Sequence, residues 1–188
     1  MAKFSVIYDA CVLYPAPLRD LLMHLALTDL FKARWTDKIH EEWINALLRR
    51  EQYDRKILER TRDLMDASVR DAKVVGYEWL IDSLDLPDPD DRHVLAAGIK
   101  AGANAIVTTN LKDFPDCELS RYDMEAIHPD DFIYYQIDLA PAISCGAIRR
   151  QRQSLKSPPK TVDEFLSILQ KQQLPKTVST LKNYIELL

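Results

Sequence analysis

Four acidic residues lie at positions where their carboxylates could act together. Asp9 directly follows the β-rich run KFSVIY, and Glu42 borders the apolar side of a predicted helix. Asp91 lies at the start of another predicted helix beside Asp90, and the choice between these two neighbours stays open. Asp113 follows a short apolar run that is typical of a buried strand. Side chains at the carboxyl ends of parallel strands meet at one edge of a sheet, where α/β proteins build their sites.

Carboxylates gathered at one sheet edge would repel one another strongly unless a positive charge lay among them. A cluster of ionised acids therefore implies a divalent cation, and hard oxygen ligands favour Mg²⁺ or Mn²⁺. Such an ion can activate water near neutral pH and neutralise charge on a phosphodiester. The acids thus predict metal-dependent phosphodiester hydrolysis.

The segment from residue 86 to residue 114 would position two of these acids. Pro87 and Pro89 prevent an earlier helix, and the apolar and small residues that follow have helical spacing up to Gly102. Residues 105–107 then predict a buried strand, with Thr108 and Asn110 just beyond its end.

The remaining pattern alternates strands and helices, which predicts an α/β fold. We expect a central parallel sheet of four or five strands flanked by helices, with a helical C-terminal extension. Residues 1–138 would form the first domain and residues 139–188 the extension. Further predicted elements are strands at 3–8, 34–35, 73–75 and 124–127, helices at 36–51 and 54–72, and a proline-rich linker at 157–160.

Composition limits the possible partners and compartments. The 188 residues carry a net charge of −4, so an anionic partner would need a local basic patch or a bound cation. The three cysteines fit no metal-binding spacing and suggest free thiols in a reducing compartment. With no apolar run of membrane-spanning length and no signal-peptide pattern, we expect a cytoplasmic protein.

Two motifs in combination resemble those of the PIN-domain nucleases, including the VapC-type toxins of toxin–antitoxin pairs. They are the block DPDDRHVLAAGIKAGANAIV and the following TTNLKDF, and the C-terminal LPKTVSTLK is similar to the extension of one PIN subfamily. The resemblance implies a Mg²⁺- or Mn²⁺-dependent endoribonuclease with an RNA substrate and a small antitoxin partner, and it leaves a homodimer open. It also implies a catalytic, metal-binding quartet and two substrate-positioning residues: Asp9, Glu42, Asp91 and Asp113, with Thr108 and Asn110. Because many relatives have aspartate where Asn110 stands, the number of bound ions stays open.

Each residue also has a purely structural interpretation. Asp9 could be a turn residue, Glu42 a surface carboxylate, and Asp90 or Asp91 a helix cap. Asn110 and Asp113 could form an Asx turn. No role is assigned to His24, His40 or His93. The basic run could bind RNA phosphates, pair with an acidic protein partner or be a solvated helix end, and we favour solvation. Its members are Arg149, Arg150, Arg152, Lys156 and Lys160.

Three other functions compete with a toxin nuclease. The chain could be a non-catalytic PIN-fold interaction protein, or a housekeeping nuclease without an antitoxin. A haloacid-dehalogenase-like phosphatase would need a second aspartate two residues after Asp9, where the sequence has Cys11.

Overall fold

The computed structural model describes residues 3–50 and 53–188, which form two compact units. Among the described residues, the first unit comprises 3–14, 31–50 and 53–128, and the second comprises Pro15–Leu30 and Pro129–Leu188. The boundary predicted between residues 138 and 139 stays a prediction.

A four-stranded parallel sheet organises the first unit. Its strands are β1 (Ser5–Tyr8), β2 (Lys32–Arg34), β3 (Ala105–Val107) and β4 (Glu125–Ile127), in the order β2-β1-β3-β4. Ile7 of β1 pairs with Arg34 on one side and Ile106 on the other. All four residues of β1 are buried, as expected for a central strand covered on both faces. The predicted parallel sheet flanked by helices is therefore confirmed.

The helix of the central motif packs directly on this sheet. It is α5 (Arg92–Ala101), which contacts β1 and β3 and ends at Gly102 in the left-handed conformation (φ +58°). A Cβ atom added at Gly98 would lie 2.8 Å from Sδ of Met124 and 3.6 Å from Cγ1 of Ile7. Glycine at this position therefore leaves room for the side chain of Met124 against the helix.

Shorter elements complete the first unit. The hydroxyl of Thr36 accepts a hydrogen bond from the Ile39 amide (3.1 Å) and caps α3. This helix ends at Leu48, and position 51 of the predicted helix lies outside the described residues. The helices are α1 (Ala10–Leu13), α3 (Asp37–Leu48), α4 (Arg55–Ser68) and α6 (Asp116–Leu119), with 3-10 turns at Glu78–Ser83, Pro89–Asp91, Leu111–Asp113 and Ser120–Tyr122.

The strand predicted at residues 73–75 is wrong. Only an isolated parallel bridge joins Trp35 to Lys73 there. Trp35 donates its backbone N–H to Ala72 and accepts from Val74, but Gly76 then turns the chain away with φ +70°. The sheet therefore has four strands rather than five within the described residues.

The second unit is helical. Its helices are α2 (Ala16–Ala26), α7 (Pro129–Leu139), α8 (Pro141–Ser154), α9 (Val162–Lys171) and α10 (Pro175–Leu181), followed by a 3-10 turn at Lys182–Leu187. Thr161 and Glu164 form a reciprocal capping box at the start of α9. The Arg152 guanidinium donates hydrogen bonds to the carbonyls of Lys160 and Leu188. This member of the basic run therefore stabilises the fold of the second unit. Along the described parts of the chain, no helix is both long and apolar enough to cross a membrane.

Candidate active site

An open cavity of about 370 Å³ lies in the first unit, beside residues that follow the carboxyl ends of β1 and β3. Its lining combines acidic side chains with an amide, a thiol and aromatic rings. The polar and aromatic lining residues are Asp9, Cys11, Tyr14, Glu42, Trp43, Asp90, Asp91 and Asn110.

Asp9 is held by hydrogen bonds at its buried carboxylate. Its side chain is 5% exposed, and Oδ2 accepts from the hydroxyl of Thr108 (2.7 Å) and from the thiol of Cys11 (3.0 Å). Burial, reinforced by the charge of Asp9, raises the pKa of Cys11 to about 12, so the thiol keeps its proton at neutral pH and can donate. The Thr108 hydroxyl also accepts from the Asn110 amide (3.0 Å). Thr108 therefore acts on the cavity through Asp9 and the backbone of Asn110.

Asp91 is free of the capping role that its sequence position suggested. The side chain of Asp88, rather than that of Asp91, accepts from the Asp90 amide (2.9 Å) and caps the 3-10 turn. Asp91 then precedes α5 without capping it through its side chain. Its carboxylate lines the cavity and is not used for helix capping.

The electrostatic environment of Asp91 is strongly acidic. Burial raises the pKa of Asp91 from 3.8 to about 7, with smaller contributions from the charges of Asp9, Asp88, Asp113 and Glu42. Carboxylates from separate helices and loops therefore all raise the pKa of the Asp91 carboxyl group. A cation among them would relieve this repulsion.

Glu42 reaches the cavity from α3 and is paired with a histidine. Its Oε1 lies 2.8 Å from Nε2 of His93, which is on α5 and is 1% exposed. The pair meets the distance for an ion pair but lacks the angular alignment of a hydrogen bond. Glu41, the adjacent carboxylate, is exposed.

The predicted residues thus differ in how they meet the cavity. Asp9, Glu42, Asp91 and Asn110 line it, and the exposed Asp90 does so as well. Asp113 is half-buried at the end of a 3-10 turn and, in the described part of the chain, does not line the cavity; it acts on Asp91 by charge. The catalytic and metal-binding roles predicted for these residues stay predictions.

The donor chemistry fits a divalent cation, although the acids are not drawn together into a closed set of ligands. Over residues 3–50 and 53–188, no group of three or more His, Cys, Asp or Glu side chains is arranged to hold a metal ion. Mg²⁺ commonly keeps several waters and binds through one or two carboxylates together with substrate phosphates. The oxygen donors and the raised pKa of Asp91 suit such an ion.

Sequence reasoning missed two neighbours of these acids, Cys11 and His93. The sequence predicts no role for His93, because no second histidine lies at ligand spacing. The available signal was its place as a polar residue within the buried run of α5, two positions after Asp91. Cys11 could have been found from its position two residues after Asp9, at the same strand end.

A comparison with known protein families identifies the family of this chain. The family model described as PIN domain matches residues 5–112, more than half of the chain. The chain belongs to the PIN domain family. This match spans Asp9, Glu42, Asp91, Thr108 and Asn110, and it ends one residue before Asp113.

A second family model, described as VapC50 C-terminal domain, matches residues 129–183, C-terminal to the PIN-domain match. A Mycobacterium tuberculosis (strain ATCC 25618 / H37Rv) protein named "Putative ribonuclease VapC50" is 44% identical over 97 residues. That alignment covers 52% of this chain and 57% of the relative, so it spans little more than half of either protein. No solved structure matches the chain. The predicted resemblance to a PIN domain with a C-terminal extension is confirmed.

Proposed function

We propose that this protein is a divalent-metal-dependent endoribonuclease and the toxin of a type II toxin–antitoxin pair. The carrying observation is the cavity at the strand ends, which Asp9, Glu42 and Asp91 line within the part of the chain that matches the PIN domain. The similarity to a relative named as a ribonuclease supports RNA as the substrate. The VapC50-type C-terminal region supports an antitoxin partner.

In this proposal Asp9, Glu42 and Asp91 hold the ion, and Asp113 adds negative charge that acts on Asp91. When bound, Mg²⁺ or Mn²⁺ supplies activation of water and charge neutralisation at the phosphodiester. Thr108 fixes the carboxylate of Asp9 through its hydroxyl, and Asn110 orients substrate or water from the cavity wall.

The Asp9→Asn variant tests the proposal because it removes a charge at the centre of the site with little change in side-chain size. We expect loss of RNA cleavage and of growth inhibition in cells that express the variant. Asp82→Asn, the same chemical change at an exposed position outside the cavity lining, is the matched control and should retain both activities. Unchanged cleavage and toxicity in Asp9→Asn would refute the proposed mechanism.

The absence of a closed three-ligand group in the described residues gives some support to a second candidate, a non-catalytic PIN-fold interaction protein. That candidate predicts no Mn²⁺ binding that depends on Glu42 and no RNA cleavage by the wild type. Calorimetric titration of Mn²⁺ into the wild type and Glu42→Gln therefore distinguishes the two functions. A housekeeping nuclease would cleave RNA but would have no short antitoxin gene beside its own.

A further inference from the structure

His93 combines near-complete burial with unfilled hydrogen-bonding capacity. Its side chain is 1% exposed, and neither Nδ1 nor Nε2 has an aligned hydrogen-bond partner among the residues that the structure describes. Buried polar atoms normally have partners, because an unpaired one loses its hydration without compensation. An apolar side chain would fill this place in α5 without that loss. The imidazole therefore calls for an explanation beyond packing.

The carboxylate of Glu42 supplies that explanation. Its Oε1 lies 2.8 Å from Nε2 of His93, so the distance of a hydrogen bond is already set and only the angle is missing. The terminal torsion of glutamate is broad, so a modest rotation of the carboxylate can align the pair. Glu42 is on α3, whereas His93 lies on α5, two residues after Asp91. A bond between them would fix Glu42 relative to the helix start that bears Asp91.

We propose that His93 is a positioning residue, which holds the Glu42 carboxylate in the cavity through Nε2 and so sets its placement relative to Asp91. This inference rests on the proposed function, because it concerns the same metal site. Ligating carboxylates in metal sites are usually hydrogen-bonded by outer residues, which restrict their orientation. With Oε1 directed to His93, the second oxygen of Glu42 is the one available to an ion.

Replacement of His93 by leucine or glutamine tests this role. Leucine fills similar space without a polar atom, whereas the amide nitrogen of glutamine can stand near the position of Nε2. In calorimetric titration with Mn²⁺ alone, His93→Leu should raise the dissociation constant by about 10- to 100-fold, the usual effect of losing such an outer partner. His93→Gln should restore most of the affinity. His24→Leu makes the same change in the second unit and should leave Mn²⁺ affinity unchanged.

The Glu42→Gln background shows whether His93 acts through Glu42. There, His93→Leu should cause little further loss of Mn²⁺ affinity, because the carboxylate that it positions is already gone. Circular dichroism and thermal unfolding identify the folded proteins to be compared. Should the leucine variant misfold, His93→Phe, which also fills the space with a ring that has no polar atom, takes its place. A Mn²⁺ affinity lower in His93→Phe than in His93→Gln supports positioning, and an affinity equal to that of the wild type in both variants refutes it.

The outcomes separate this inference from the proposed function. If the wild type binds Mn²⁺ and folded His93→Leu binds it equally well, His93 does not position Glu42 and the metal site stands. An equal loss from His93→Leu with and without Glu42 would also overturn the inference, because the effect would not pass through that carboxylate. If the wild type itself binds no Mn²⁺, the proposed metal-dependent function fails, and the inference fails with it.

Discussion

Asp91→Asn should stabilise the metal-free protein at alkaline pH. Burial, with the charges of Asp9, Asp88, Asp113 and Glu42, raises the pKa of Asp91 from 3.8 to about 7. At about 1.4 kcal/mol per pKa unit, the whole difference corresponds to about 4 kcal/mol of destabilisation when Asp91 is ionised. Because the side chain is only half-buried, solvent screening reduces this figure, and we expect a gain of about 1–2 kcal/mol on substitution.

The pH dependence identifies the cause. A folded-state pKa above the unfolded value means that the folded protein retains the proton more strongly between pH 4 and pH 7. The wild type therefore loses the Asp91 contribution to its stability as the pH rises through 7. The difference in unfolding free energy between Asp91→Asn and wild type should be small near pH 4 and full at pH 8. Urea denaturation in the presence of EDTA measures it at both values.

A control variant and a metal titration test whether the effect comes from the Asp91 carboxylate. Asp90→Asn changes the exposed neighbour and should alter stability by less than about 0.5 kcal/mol at either pH. Under the proposed function, added Mn²⁺ should stabilise the wild type but not Asp91→Asn, because only the wild type has the carboxylate proposed to bind the ion. If Asp91→Asn were less stable than the wild type at pH 8 in EDTA, or if its advantage were the same at pH 4, the electrostatic reasoning would be refuted.

Two hydrogen-bonded side chains away from the acidic cluster give further predictions. Burial lowers the pKa of His40 below 6.5 despite the opposing effect of Asp66, so the unfolded chain takes up the proton more readily and stability should fall below about pH 6.5. His40 can contribute at most about 1.4 kcal/mol per pH unit to the slope of the unfolding free energy against pH. This contribution should be absent in His40→Gln. Equal slopes in urea titrations of the wild type and the variant would contradict the prediction. Asp130 accepts from the amides of Lys176 (2.9 Å) and Thr177 (2.8 Å) at the start of α10. Asp130→Ala should cost about 1 kcal/mol and accelerate hydrogen exchange at those two amides, and unchanged exchange would exclude the capping role.

The sequence predicts the elements that rest on local rules. The central strand β1 follows from an apolar run, α3 from the cap at Thr36, and the end of α5 from Gly102. The strand predicted at residues 73–75 fails for a non-local reason. Its residues have strand composition, but sheet formation requires a continuing partner, and the chain forms only one bridge, at Trp35.

The positions of the candidate-site residues are predictable where they depend on strand order, and they are not predictable where they depend on the packing of separate helices. Asp9 and Asn110 follow strands, so topology alone brings them near each other, and both line the cavity. The pairing of Glu42 with His93 depends on how α3 and α5 pack, which no spacing within either helix reveals. The cap at Asp88 is also not predicted, because the sequence pattern indicates a helix that begins at Asp90 or Asp91, whereas the structure has a separate 3-10 turn at Pro89–Asp91.

The polar contacts around this cavity compensate some of its buried polar groups and leave others uncompensated. The hydroxyl of Thr108 satisfies Asp9, and Asp88 performs the capping that Asp91 could have supplied. Two unfavourable features, an ionised Asp91 and the unaligned His93, lie two residues apart where α5 begins. A sequence optimised only for stability would have asparagine and leucine at these positions. Under the proposed function, replacing these residues should separate the free-energy cost of clustered acids from the binding of a cation, since the carboxylate that destabilises the metal-free protein would stabilise the metal-bound protein.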